Sequence, residues 1–133
     1  MRPSRAGTAM RRRPATLDPS DIAAVAVTAL TQAGHHGKIY PMTGEESLGM
    51  LEQTEILGEV IGRRLVYEML PDQAVLGIAE SFGISNEKAL FLRYLREAGT
   101  GPESQPLPTV REVLRRAPRT FRQWAVDHAG AFP

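Results

Sequence analysis

The sequence has no cysteine, and this absence excludes several kinds of site. Disulfides, thiolate zinc sites, iron–sulfur clusters and thiol nucleophiles all need that side chain. Long apolar runs are missing too: the longest, around residues 22–30, is much shorter than the roughly 20 residues that a membrane-spanning helix needs. No apolar signal segment follows the N-terminal arginines. We therefore expect a cytoplasmic protein with neither a membrane anchor nor an export signal.

The net charge is also small, but the charged residues are unevenly distributed along the chain. The formal net charge is only +1, yet a set of arginines precedes the first acidic residue, Asp18. Residues 1–14 have no apolar period, so we interpret them as a disordered, arginine-rich leader and residues 15–133 as one domain. Arginine-rich ends are more often solvated tails than phosphate-binding sites, so we do not expect nucleic acid as a partner.

The rest of the chain has the composition of an ordinary globular protein, with 42% hydrophobic and 23% charged residues. Apolar spacing, with glycine and proline as breakers, predicts alternating short strands and helices. The predicted strands are 15–17, 37–42 and 64–69. The predicted helices are 21–31, 43–61, 71–82, a stretch after 85 that ends near 98, and two short helices that follow Thr109 and Thr120. This order predicts an α/β fold with about three short strands and five or six helices.

Three of the helix starts have the sequence of a capping box, a Thr followed three residues later by Glu or Gln. They are Thr43 with Glu46, Thr109 with Glu112, and Thr120 with Gln123. In each, the Thr hydroxyl is expected to accept from the amide of the later residue, whose side chain accepts from the Thr amide in return.

Histidines and acids form no complete site in the sequence. His35 and His36 adjoin in a glycine-rich turn, but a metal would need two further converging ligands, so we interpret them as a solvated turn. Asp127 and His128 are neighbours on a helix and point apart, so the carboxylate cannot orient the imidazole as a general base. We expect His128 to be a partly buried packing residue beside Trp124. The sequence therefore predicts no catalytic residue and no metal site.

Three segments of the chain together resemble one family. They are ATLDPSDIAAVA at 15–26, GKIYPMTGEESLGMLEQTEILGEVIGR at 37–63 and RAPRTFRQWAVDHAGAF at 116–132. In this order and spacing the chain is similar to the NmrA-like, atypical short-chain dehydrogenase/reductase proteins, over nearly everything after residue 14. The resemblance implies the C-terminal, substrate-side part of a Rossmann-type oxidoreductase or redox-sensing regulator.

A complete chain of that family begins with a Rossmann domain whose glycine-rich turn holds the pyrophosphate of NAD(P). The sequence has no such turn: Gly34 and Gly37 precede a strand instead of opening a helix after one. A Tyr-x-x-x-Lys pair is absent as well. The resemblance implies that full-length relatives bind NAD(P) and a small-molecule substrate. This chain alone is expected to bind no cofactor, to be inactive, and to self-associate or dock onto a separate Rossmann-domain chain.

The resemblance also nominates positions for a site. It implies that the turn with Asp18 and Pro19 lies beside the cofactor and that the helices of residues 71–98 cover the substrate. On that basis Phe82, Phe91 and Tyr94 are candidates for the pocket wall, and the alternative is that they are core residues, as aromatic side chains at helical spacing usually are. The alternative function is a stand-alone protein-interaction module derived from the same fold.

Overall fold

The computed structural model describes residues 13–85, 87, 90 and 104–132, which contain five α-helices and one 3-10 helix. The α-helices are α1 (Pro19–Thr31), α2 (Met50–Ile61), α3 (Asp72–Ser81), α4 (Thr109–Leu114) and α5 (Phe121–Asp127); the 3-10 helix is Ala129–Ala131. Helix α1 packs against α4, and α2 packs against α5. Most of the helix predicted between 85 and 98 lies outside the described residues.

None of the three segments predicted as strands forms a hydrogen-bonded ladder within the described part of the chain. The predicted number of strands is therefore unconfirmed. A strand exists only beside another strand, because its amides and carbonyls bond to a neighbour. The segments 37–42 and 64–69 instead present apolar side chains to solvent, with Ile39 91% and Val66 80% exposed. Both segments have the composition of strands, but neither has a partner strand among the described residues.

Helix α1 forms where the sequence predicts it, but only part of its predicted apolar face is buried. The apolar pattern of the sequence predicts one buried face that contains Ile22, Val25, Ala26, Ala29 and Leu30. Val25 is 2% exposed, as predicted, whereas Ile22 is exposed and Leu30 is 87% exposed. Asp21, one turn before Val25 and not predicted as buried, is 0% exposed. The reason is electrostatic: the buried side of α1 follows the Asp21 carboxylate, which meets arginines of the 116–119 segment.

Helix α2 begins at Met50, later than predicted, and the capping box assigned to Thr43 and Glu46 is wrong. The Thr43 hydroxyl oxygen accepts from the amide of Leu107 at 2.7 Å, and the Glu46 carboxylate accepts from the amide of Phe121 at 3.1 Å. Both partners are distant in sequence. Because these side chains bond to other elements, residues 43–49 stay outside the helix.

Residues other than Thr43 and Glu46 provide the hydrogen bonds and the backbone turn at the ends of α2. The Glu52 carboxylate accepts from the amide of Gly49 at 2.8 Å, which stabilises the first turn. At the other end Gly62 takes a left-handed conformation with φ of 67°, which glycine adopts without steric cost. The amide of Arg63 then donates to the carbonyl of Gly58 at 2.9 Å. The predicted end of this helix is confirmed, while its predicted start is wrong.

The two remaining capping boxes have opposite outcomes. The box of Thr120 and Gln123 is confirmed: the Gln123 amide donates to the Thr120 hydroxyl at 3.1 Å, and the Thr120 amide donates to the Gln123 side chain at 2.9 Å. The box at Thr109 is wrong, because Thr109 is already the first residue of α4. Its hydroxyl donates to the carbonyl of Pro41 at 2.6 Å instead.

Polar contacts tie residues 41–47 to residues 104–111. Both Nε and Nη2 of Arg111 donate to the Glu45 carboxylate, each at 2.8 Å. These hydrogen bonds from Arg111 hold the pKa of Glu45 below its usual value. A two-pronged contact of this kind fixes the orientation of both side chains. The described residues around the start of α4 are therefore anchored to the segment that precedes α2.

Gly44 lies where the 41–47 segment passes close to the start of the chain. Its amide donates to the carbonyl of Ala15 at 3.0 Å. A Cβ atom at this position would be 2.0 Å from the carbonyl oxygen of Thr16, a distance that no side chain tolerates. Glycine is required here because two backbone segments touch.

The described residues bury few large apolar side chains. The buried apolar residues are Ala15, Val25, Ala79, Val110 and Ala125. Much of the cohesion between elements therefore comes from hydrogen bonds and ion pairs that join distant segments. In the part of the chain that the structure describes, we find no helix with the length and apolar character that a membrane span requires.

Candidate functional site

Helices α1, α2 and α5 border a groove of about 230 Å³, which we call the aromatic groove. Its lining residues are Thr16, Leu17, Asp18, Pro19, Gln53, Arg119, Thr120, Phe121 and Trp124. The groove joins the turn before α1, one side of α2 and the segment that opens α5. Its lining is mainly apolar, with a small number of polar groups, as is common in ligand sites.

Asp18 caps α1 and is almost fully buried. Its Oδ1 accepts from the amide of Ser20 at 2.8 Å and from the Ser20 hydroxyl at 2.5 Å, while Oδ2 accepts from Nε of Arg119 at 3.0 Å. Burial alone would raise the pKa of Asp18, but the hydrogen bonds from Ser20 and Arg119 outweigh it and the pKa lies below its usual value. Asp18 is therefore ionised at neutral pH and acts as an acceptor, not as a proton donor.

Asp21 holds the segment that leads into α5. Its Oδ2 accepts from the backbone amide of Arg119 at 2.6 Å, and its Oδ1 lies 2.7 Å from Nη1 of Arg116. The Arg119 side chain also contacts the carboxylate of Asp127 through Nη2. A buried carboxylate is costly unless it is paired, so these contacts fix the position of the segment on α1. The same contacts place the start of α5 beside the turn that contains Asp18.

Phe121 and Trp124 form the aromatic wall of the groove. Their ring centroids are 5.5 Å apart with an interplanar angle of 27°. Trp124 also stacks with His128, with ring centroids 4.8 Å apart, and His128 Nδ1 donates to the Trp124 carbonyl at 2.8 Å. The predicted packing of His128 on Trp124 is confirmed, but His128 is exposed, so its prediction as partly buried is wrong. The wall is preorganised because each ring is held by a neighbour.

The nominated site residues fall in different places. Asp18 and Pro19 line the aromatic groove. Phe82 is the C-cap of α3, is 78% exposed and does not line the groove. Phe91 and Tyr94 lie outside the described residues. Asp18 and Pro19 therefore adjoin a cavity. The role of the three aromatic residues as a pocket wall stays a prediction.

Of the nine residues that line the groove, the sequence nominates only Asp18 and Pro19 as site residues. Phe121 and Trp124 carry a signal in the sequence, an aromatic pair at helical spacing, but that pattern is more typical of core packing than of a binding site. Gln53 carried none, because a neutral polar residue on an amphipathic helix is ordinary on its own. Only the packing of α2 against α5 brings Gln53 to the same cavity as the aromatic wall.

No group of three or more His, Asp or Glu side chains suited to a metal occurs among the described residues. His35 shares a 2.6 Å hydrogen bond with the hydroxyl of Tyr40, and His36 is exposed.

The phosphates of a dinucleotide do not fit the starts of α1, α2 and α5. Anions bind at helix N-termini whose amides are free. Here the Asp18 carboxylate already occupies the start of α1, Glu52 that of α2, and Thr120 that of α5. Two of these caps are negatively charged and would repel a phosphate. The residues that the structure describes at these three helices thus provide no pyrophosphate cradle.

Comparison with characterised proteins gives clear relatives. No protein-family model matches the sequence. The chain is 40% identical over 119 residues to the (4-alkanoyl-5-oxo-2,5-dihydrofuran-3-yl)methyl phosphate reductase of Streptomyces griseus subsp. griseus, a match that covers 89% of this chain and 42% of that protein. It is 35% identical over 118 residues to the NAD(P)H azoreductase of Xenophilus azovorans, over 87% of this chain and 41% of that protein.

Among solved structures, the triphenylmethane reductase of Citrobacter sp. complexed with NADP(H) has the same fold over 92% of this chain and 43% of its own, with a TM-score of 0.73 and 20% identity. In sequence and fold the chain is similar to NmrA-like, atypical short-chain dehydrogenase/reductase proteins. The chain spans about two-fifths of the length of the curated relatives that it matches. This share fits the C-terminal portion of such a protein. Its fold is part of a Rossmann-like architecture.

Proposed function

We propose that this chain is the substrate-side part of an NAD(P)H-dependent reductase and that the aromatic groove receives the substrate. One observation carries the proposal: the turn with Asp18 and Pro19 lines the same groove as the aromatic wall of Phe121 and Trp124. Both curated relatives are reductases by name, and one of them is named for NAD(P)H. The groove supplies apolar surface and stacking for a small molecule, and it offers no proton donor at Asp18.

In this proposal the chain binds and orients the substrate, while the dinucleotide site comes from a Rossmann part. The occupied starts of α1, α2 and α5 support that division, because their first-turn amides are already bonded to side chains. Arg119, held by two carboxylates and a backbone contact, fixes the turn against the aromatic wall. We further propose that the chain alone neither binds NAD(P) nor turns over substrate.

Exposed apolar side chains support the proposal that another part of a protein covers this chain. Leu30, Ile39 and Val66 lie on three different segments and are largely in solvent. Isolated exposed apolar residues are common, but unpaired strand-like segments invite pairing with other strands. We propose that a Rossmann sheet, in the same or a separate chain, covers them. The same observation favours the alternative function, a protein-interaction module, in which an unrelated protein would cover this surface.

A chimera tests the proposed function. This chain replaces the matching part of the Xenophilus azovorans azoreductase, and NADPH oxidation is followed with an azo dye, a quinone and a triphenylmethane dye as acceptors. We expect oxidation that depends on at least one acceptor, and none from the chain alone. A chimera that is folded and binds NADPH but oxidises it with none of the acceptors would contradict the proposal. Its failure would leave the interaction module as the better account.

A further inference from the structure

We propose that Asp127 is a positioning residue for the aromatic groove and that it acts through Arg119. The inference rests on the proposed function, because it concerns how the groove is held in the shape that receives the substrate. Asp127 is not among the residues that line the groove, whereas Arg119 is. The ion pair between the two side chains therefore connects a residue outside the groove to its lining.

This ion pair runs along the whole of α5. Arg119 directly precedes the N-cap residue Thr120, and Asp127 is the last residue of the helix. Nη2 of Arg119 contacts Oδ2 of Asp127, so the arginine side chain extends from one end of the helix to the other. A helix of seven residues is about 10 Å long and is only marginally stable by itself. A contact between its two ends therefore limits fraying of the last turn.

The Arg119 guanidinium also joins α5 to the turn before α1. Its Nε donates to Oδ2 of Asp18 at 3.0 Å, while its Nη2 contacts Asp127. The guanidinium is planar and rigid, so carboxylates on two different nitrogens fix its orientation. One carboxylate alone would leave the group free to rotate about a single hydrogen bond. Asp127 supplies the second contact and so fixes the Arg119 side chain between the turn and the helix.

Both rings of the aromatic wall are carried by α5. Phe121 is its first residue, Trp124 lies one turn later, and Trp124 stacks with His128, the residue after Asp127. The buried residue of this helix is the small Ala125, so apolar burial holds α5 only weakly. A change in the tilt of α5 would move both rings relative to the turn before α1. The ion pair therefore sets the separation between the two sides of the groove.

Asp127 can be altered without leaving a buried charge unpaired. Its side chain is 55% exposed, whereas that of Asp18 is 5% exposed and keeps its bond from Nε of Arg119. Asp127→Asn removes the charge and keeps the size of the side chain. Glu45→Gln is the matched control, because it breaks another exposed carboxylate–arginine pair, with Arg111, outside α5 and the groove. Exposed pairs contribute little to stability, so both variants should fold.

Near-UV circular dichroism of the full chain tests the position of the wall. Trp124 is the only tryptophan, and its band reports how rigidly the ring is packed. We expect Asp127→Asn to lose part of the tryptophan band while the far-UV spectrum is unchanged. Asp127→Glu, which keeps the carboxylate, and Glu45→Gln should keep the band. An unchanged band in Asp127→Asn, or the same loss in Asp127→Glu or in Glu45→Gln, would overturn the proposal.

Kinetics of the chimera separate positioning from stability. Weaker binding of the substrate raises KM and leaves kcat unchanged. We expect Asp127→Asn to raise the KM for the best acceptor about two- to fivefold, with kcat unchanged, and Asp127→Glu and Glu45→Gln to change neither constant. The same KM in Asp127→Asn and in the unmodified chimera, or a fall in kcat alone, would overturn the proposal. A chimera without activity would contradict the proposed function, while the dichroism of the chain alone still decides the role of Asp127.

Discussion

Replacing Asp21 with asparagine should lower the free energy of unfolding more than replacing an exposed acidic residue with its amide. Asp21 is fully buried, accepts from the Arg119 amide at 2.6 Å and lies 2.7 Å from a guanidinium nitrogen of Arg116. Asparagine keeps one acceptor for the amide, but it removes the charge and turns an N–H₂ group toward the guanidinium. Breaking a buried ion pair costs about 3–5 kcal/mol. Arg116 is itself half exposed and regains solvent, so we expect a loss of about 2–3 kcal/mol.

Urea unfolding followed by Trp124 fluorescence measures this loss as the change in the free energy of unfolding. The matched control is Glu55→Gln, which removes an exposed carboxylate on α2 and should change stability by less than about 0.5 kcal/mol. If Asp21→Asn costs no more than Glu55→Gln, the buried carboxylate does not hold the segment before α5. The account of how the aromatic wall is positioned would then be refuted.

Three further results are expected from the same unfolding assay. Thr120→Ala should cost about 1 kcal/mol, because it leaves the Gln123 amide at the start of α5 without its acceptor; an unchanged midpoint would contradict that cap. Gly44→Ala should unfold the chain or lower its stability far more than a surface change, since the added Cβ meets the carbonyl oxygen of Thr16; a stable variant would contradict the close approach. The pKa of Asp18 is lower in the folded state, so the folded chain binds fewer protons and stability rises with pH. This contribution is fully present above the unfolded pKa, near pH 4, and is lost as the pH falls through the lower folded pKa. Asp18→Asn should therefore flatten the loss of stability in that acidic window, and an identical profile for the variant would count against the assignment.

Local sequence patterns predicted the helices well where a helix end is satisfied locally. The Thr120 and Gln123 pair forms the box that its spacing implies, and Gly62 ends α2 as predicted. The same pattern failed at Thr43 and Thr109, whose hydroxyls bond to residues more than sixty positions away. A capping motif read from sequence competes with long-range partners that the sequence does not show.

The candidate site was predicted only in part, and for a physical reason. The resemblance to a family drew attention to Asp18 and Pro19, which line the groove. Apolar spacing predicted the burial of Val25 on α1 but not that of Asp21, because an ion pair and not an apolar contact buries Asp21. Gln53 gained its place only through the packing of α2 against α5. Sites formed between distant helices depend on such packing, and periodicity within one helix does not reveal it.

The central claim is that the aromatic groove is the substrate side of a reductase, and the kcat/KM of the chimera with its best acceptor tests it most directly. Trp124→Ala removes half of the aromatic wall, while Val126→Ala truncates an exposed side chain on the same helix. We expect kcat/KM to fall by about tenfold or more for Trp124→Ala and to stay within twofold for Val126→Ala. Two folded variants with the same kcat/KM as the unmodified chimera would contradict the claim.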